Sequence, residues 1–589
     1  MEAVFGREPI TIVELEQDAC ARTYGVAPCA AALGTTGQHK CFNTLVTCQS
    51  PTSFQRTTKL LRFCTAREHA PAGMIPSLTG VTSSPTRINV GGADRDTGPL
   101  GKRAAVTITL QDHPHNDVGI DPYQAERITG AAQADGVGYD PEQYGTFWSR
   151  WLTRNPYHVG RALRVYDGYV GQELAEMQVR HFVIDRIDGP DASGKVTIRA
   201  KDILALADGQ KAQAPQLSPG VLHEDIDETA TVLRVVGATL DDYPASGTLR
   251  INDEVMTYTG RSLADGVITF TGIARATDNT EREAHDAGDT VQRCLRFGGQ
   301  PAYQAVRTLL TEYADIPEAA IPYDEWQAEG GRWLAQAIMA DTPITEPTGV
   351  DALVGEICEQ FLFYVWVDER AQKIRLRAVR PVDNDPITTL TDDANIVAGS
   401  QALRYEPDQR VTQVWTSLHL RNPTEPPDDP RSYALTIATP DLAAQSPEQY
   451  GDRRVRRIFG RFLSGPAQVT PLGVRTLARY RDTPRYLSLA LDAKDRALWV
   501  GDVARVTTRV DTDAIGRPVA NVWQVISAHE RRPGELYEYE LQRFIFISRY
   551  AFVMDNDAPR YSAAAEKQGA WFAPGPEGFA DGTEPFRFI

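Results

Sequence analysis

The sequence predicts a multi-domain chain of mainly β class with some α+β, in which small β-barrel or sandwich domains accompany a loop-rich cysteine module. Three observations predict it. Many segments of five to seven residues alternate apolar and polar side chains with period two. Four of the seven cysteines, Cys20, Cys29, Cys41 and Cys48, fall in one short polar stretch near the N-terminus. The 589 residues are 42% hydrophobic and 24% charged, an ordinary globular composition over a length that suits about three to five domains.

Residues 1–70 read as the cysteine module, closing with Lys59-Leu-Leu-Arg-Phe-Cys64. The spacing is C-x8-C-x11-C-x6-C, and Gly25, Gly34 and Gly37 permit the tight turns of a compact ligand shell. Four thiolates hold either a tetrahedral zinc or an iron–sulfur cluster. Structural zinc sites usually pair ligands two to four residues apart, and no such pair occurs here. The irregular spacing therefore fits a 4Fe–4S cluster better, with zinc as the alternative and free or disulfide-bonded thiols as the plain reading. Cys64 leaves the ligand set open by one position. An odd cysteine count and an N-terminus without basic or apolar signal regions predict a reducing cytoplasm, where disulfides are rare.

Residues 71–221 read as a β-rich domain. It opens with a Pro/Gly/Ser/Thr-rich link, Pro71 to Gly98, followed by strands at Ala105–Leu110, Val179–Ile184 and Val196–Ala200. A loop–helix region, Gly145 to Tyr157, lies between them. Residues 222–296 form a small inserted β module with strands Gly247–Ile251, Glu254–Tyr258 and Val267–Phe270, joined by Asn252-Asp253 and Asp265-Gly266 turns. Residues 297–400 are α+β, with helices at Ala302–Ala314 and Val350–Phe361 and a hairpin of Phe363–Val367 with Lys373–Arg377. Residues 401–554 read as barrel-like, with a helix near Thr470–Arg481 and strands Tyr486–Leu491, Val503–Thr507, Val522–Ile526 and Tyr537–Leu541. Residues 555–589, rich in Gly, Pro and Ala, read as an extended tail that packs on a neighbour or is disordered, its aromatics from Trp571 onward being expected on an adjacent subunit.

Several function classes fall away. No run of eighteen apolar residues is present, so no transmembrane helix is expected. A net charge of −17 disfavours non-specific nucleic-acid binding but suits the wall of a channel that must not retain DNA. No H-E-x-x-H, G-x-S-x-G or Walker motif occurs, no carboxylate pair is singled out for a muramidase, and no catalytic residue is assigned. Asp112, His113, His115 and Asp117 are ligand types, yet Pro114 favours a turn. Trp148, Trp151 and Tyr157 read as core before carbohydrate platform. The arginines from Arg453 to Arg485 read as a solvated or intersubunit salt-bridged face.

The residues Cys20, Tyr24-Gly25, Pro28-Cys29, Lys40-Cys41 and Cys48 resemble the iron–sulfur module of tail-tip proteins in lambda-like siphophages, and the first hub component of gene transfer agent baseplates. Further phrases resemble hub proteins of long non-contractile tails. They are Leu100-Gly-Lys-Arg-Ala-Ala-Val, Asp112-His-Pro-His-Asn-Asp117, Gly145-Thr-Phe-Trp, Arg154-Asn-Pro-Tyr157 and Asp185 to Gly194. Together they touch most of residues 10 to 300. Ala478-Arg-Tyr480 and Trp499-Val-Gly-Asp-Val503 carry a looser likeness. The resemblance implies a virion structural protein, a trimer or pseudo-hexameric ring with a 4Fe–4S cluster in each subunit, assembled in the host cytoplasm. It implies contacts with the distal tail protein, tail tube and central fibre or spike, and an opening through which DNA passes without specific binding. Here the cysteines open the chain, whereas in the lambda-like protein they close a separate polypeptide. The rival readings are a tail-associated peptidoglycan hydrolase and a receptor-binding adhesin.

Overall fold

The computed structural model describes residues 8–29, 41–65, 70–90, 97–98, 100–118, 120–121, 144–208, 212–382, 386–448, 451–532, 535–544, 549–551, 572–573 and 586–588. It is a mixed β and α+β architecture of several sheets. Its N-terminal unit is a sheet of seven strands closed on itself: β1 (Pro9–Cys20), β2 (Arg56–Thr65), β3 (Ile75–Ser84), β4 (Ala105–Gln111), β5 (Ala162–Tyr169), β6 (Gln178–Asp188) and β7 (Lys195–Lys201). The order is β1-β2-β3-β4-β7-β6-β5, with β5 pairing back onto β1. All pairs are antiparallel except β2 with β3.

Strand alternation explains how β1 serves two surfaces. Val13 and Leu15 point into the barrel core with Phe63, Ile108 and Leu163. Ile10 and Ile12 point outward into a second cluster with Cys64 and Met177. Glu14, on that outer face, is gripped by Arg62 at 2.7 Å and Arg164 at 2.8 Å. The barrel is filled from one side by the helix Phe147–Arg154, whose Trp148 is fully buried and stacks on Phe63 at 5.3 Å. The segment read from composition as a link contributes β3, because Thr and Ser suit a strand as well as a loop.

The small module holds its own core of Leu222, Val235, Leu249, Met256, Tyr258 and Phe270 between a four-stranded and a three-stranded sheet. Asn252 and Asp265 take left-handed backbone at its hairpin turns, with φ of 49° and 52°. A third, continuous core joins the helix Val350–Phe361, the hairpin of Phe363–Asp368 with Lys373–Ala378, a six-stranded sheet and the helix Pro466–Tyr480. The barrel-like expectation for residues 401–554 is corrected here. That sheet is open, with Ile387–Thr391 and Ala402–Tyr405 as its edges, and a separate three-stranded sheet lies beside it. The predicted tail falls largely outside the described residues, Trp571 and Phe579 included. Its short strands Phe572–Ala573 and Phe586–Phe588 pair with Arg549–Ala551. Among the described residues no helix is long and apolar enough to cross a membrane.

Candidate functional site: the cysteine loop on the barrel

Cys20 is the last residue of β1, and the other three cysteines of the set lie on the connection to β2. The segment is thus a loop of the barrel. It is pinned at its base, where the Cys20 amide donates to the Asn43 carbonyl and the Ala21 amide to that of Gln55, both at 2.8 Å. Asn43 adopts a left-handed φ of 61°, turning the chain so that Phe42 donates its amide to Thr47 Oγ1 at 3.0 Å. Gly34, Gly37, His39 and Lys40 lie outside the described residues.

Cys20, Cys29, Cys41 and Cys48 line one small cavity together with Tyr24 and Asn43. A shared wall is not a ligand shell, since zinc requires sulfurs about 2.3 Å from one point. Among the described residues no group of three or more His, Cys, Asp or Glu side chains is placed to hold a metal ion. The expected 4Fe–4S cluster and its zinc alternative are overturned on that finding. Cys41 Sγ instead accepts the Asn43 amide at 3.4 Å. All seven cysteines are free thiols. Cys64 stands apart from the cavity on the outer face of β2, fully buried, where desolvation pushes its thiol pKa up.

The loop is seated on the barrel by residues that the sequence singled out for other reasons. Asp112 accepts the His113 amide at 3.0 Å and the Trp148 amide at 2.9 Å, so its carboxylate satisfies a free donor at the start of the helix Phe147–Arg154. Asp117 accepts from Arg150 at 3.1 Å and Arg154 at 3.0 Å, while its amide donates to His115 Nδ1 at 2.9 Å. The Arg154 guanidinium then lies over the Phe42 ring, 3.8 Å from its centroid, and joins the loop to this network. Burial pulls the Lys59 ammonium down, and Asp121 and Asp117 work against that pull. The His and Asp residues once weighed as metal ligands are therefore engaged in positioning the helix.

Trp148 and Trp151 are core, and Trp151 donates from Nε1 to Gln17 Oε1 at 2.6 Å. Tyr157 is 73% exposed and borders a groove with Leu45 and Val46 of the cysteine loop. Sequence reasoning missed the Phe42–Arg154 contact. The two residues are far apart in the chain, and neither carries a local signal.

The arginine run is mostly paired within the chain. Arg456 reaches Glu359 at 2.9 Å, Arg461 reaches Glu356 at 2.6 Å and Arg481 reaches Asp441 at 3.1 Å. Arg453 and Arg457 flank the Trp415 ring. The run reads from sequence as a solvated or intersubunit salt-bridged face, and within this chain these residues already have partners.

No family model and no curated protein matches the sequence. Solved structures do resemble the fold. A tail protein from Neisseria meningitidis MC58 has a TM-score of 0.38 at 10% identity, covering 78% of this chain and 91% of its own. The 43 kDa tail protein of prophage MuSo2 from Shewanella oneidensis has a TM-score of 0.37 at 11% identity, covering 79% and 94%. A chain of a native gene transfer agent virion has a TM-score of 0.31 at 13% identity, covering 56% and 85%. Scores this low leave the functional reading to the chain's own residues.

Proposed function

We propose that this chain is a structural subunit of a phage-like tail, the hub at the tail tip or baseplate. One observation carries the reading. Three of the phrases that resemble tail-hub proteins, Asp112–Asp117, Gly145–Trp148 and Arg154–Tyr157, meet the cysteine loop in a single interlocked unit. Asp112 fixes the start of the helix, Asp117 holds Arg150 and Arg154, and Arg154 seats the cysteine loop through Phe42. Residues remote in sequence that resemble one family and also cooperate in one place support common descent of the whole unit.

In this reading the subunit forms a trimer or ring around the tail axis. It closes the tube, meets the distal tail protein and the central fibre or spike, and opens for DNA to pass. Its role is non-enzymatic. The four thiols belong to a loop that is part of the ring's scaffold. Removing the gene from a producing strain tests this. Particles should accumulate as filled heads with unfinished tails, and supplying the chain should restore them. Normal infectious particles without the chain would reject the reading.

A further inference from the structure

One arginine of the run has no partner. Arg475, on the helix Pro466–Tyr480, has no hydrogen bond, ion pair or ring contact among the described residues, although desolvation lowers its pKa. It lines an open cleft of about 240 Å³. Arg332, from the end of the helix Tyr323–Trp333, lines the same cleft beside the Trp333 ring and makes no ion pair among the described residues. Gln336 and Gln468 add polar edges, and Phe361 and Leu472 an apolar floor.

Among the described residues no carboxylate lines this cleft. Three acids on the neighbouring helices are already engaged. Glu329 holds Arg380 at 2.6 Å, and Glu356 and Glu359 hold Arg461 and Arg456. A partly buried guanidinium without a counter-charge is unfavourable, because it loses water and gains no partner. The half-buried Arg475 beside an apolar floor, where Coulomb attraction is stronger than in water, and the exposed Arg332 on the same cleft make a socket for an anion.

We propose that this cleft binds carboxylate side chains presented by a second copy of the chain. Charge selects the occupant. With 78 acidic against 61 basic residues, any approaching copy offers mostly carboxylates, and an unpaired cationic cleft is where two such surfaces attract. The planar, multi-donor guanidinium suits bidentate capture of a carboxylate. The inference deepens the assembly reading above by naming the surface that would join subunits.

The test is sedimentation velocity of the full chain across protein concentration and salt. The wild type should self-associate, less so as salt rises. Arg332→Glu with Arg475→Glu should weaken association at least tenfold, with an unchanged melting curve. Arg186→Glu with Arg431→Glu, two exposed arginines away from the cleft, carries the same charge change and should have little effect. Arg332→Lys with Arg475→Lys should retain part of the association. Equal weakening by both charge-reversal pairs would overturn the proposal, as would no change in the cleft variant or a monomeric wild type. Uptake of pyrophosphate by the cleft without self-association would also overturn it, in favour of a small-anion site. Each of these results is separate from whether particles lacking the chain fail to complete tails.

Discussion

Glu369 is where chemistry and architecture meet at the residue scale. It is buried at the turn of the hairpin of Phe363–Asp368 with Lys373–Ala378, and its backbone carbonyl accepts the amide of His181 on the barrel strand β6 at 3.0 Å. Burial pushes its carboxyl up to about 7 against the pull of Arg180, and pushes that of Asp202 up to about 6 against Arg103. Both values lie above the ordinary carboxyl range of about 4, so the folded chain holds protons that the unfolded chain has released. Their contribution is most favourable in acid and is lost as pH rises to about 7. Glu369→Gln should therefore stabilise the protein by about 2 kcal/mol at pH 8 and by little at pH 4, measured by urea unfolding. An equal effect at both pH values would refute this.

Thiol reactivity gives a second residue-scale prediction. Cys20, at the end of β1, and Cys29 and Cys48, on the loop that follows it, are half-buried free thiols, whereas Cys64, Cys294 and Cys358 are buried. Desolvation pushes Cys294 up to about 12 and Cys358 higher still. Iodoacetamide at pH 8 followed by peptide mass spectrometry should label the three loop cysteines in the native protein, and the core three only after unfolding. Loop thiols that resist alkylation until the chain is unfolded would contradict the assignment. The cysteine spacing itself was plain in the sequence. Spacing reports that four thiols can meet; whether they point at one atom depends on the turns between them, such as the one at Asn43.

At the scale of elements, the helix Phe147–Arg154 depends on a carboxylate from the preceding loop. Asp112→Ala leaves the Trp148 amide without its acceptor and should cost about 1–2 kcal/mol in chemical unfolding. Trp148→Ala removes a fully buried side chain from the barrel and should cost about 3–5 kcal/mol. Wild-type stability in both variants would show that the helix does not fill the barrel.

Strands were the most legible elements. Ala105–Gln111, Lys195–Lys201 and Lys373–Ala378 match the alternation read from sequence, because each has one face in a core and the other half-buried or exposed. β1 was overlooked although Ile10, Ile12, Val13 and Leu15 are apolar. Both its faces are covered, which blurs the period-two signal. The helix Tyr323–Trp333 was also missed. It is polar, contains Gly330 and Gly331, and is held by packing, with Gly330 pressed against the Tyr303 ring.

The whole molecule is an acidic chain with a closed barrel, an inserted sandwich and one extended α+β core. Composition revealed the many short strands but not which of them close into a ring, since closure depends on pairings such as β1 with β5, about 150 residues apart. The phrases resembling tail-hub proteins were legible as words, and only the fold shows that Asp112–Asp117 and the cysteine loop converge on the helix that fills the barrel. The central claim is that this unit sits at the end of a tail. Gold-labelled antibody against the chain, imaged on intact particles by electron microscopy, tests it most directly. The account predicts gold at the tail end opposite the head on most particles, and labelling of heads, or of no particle at all, would contradict it.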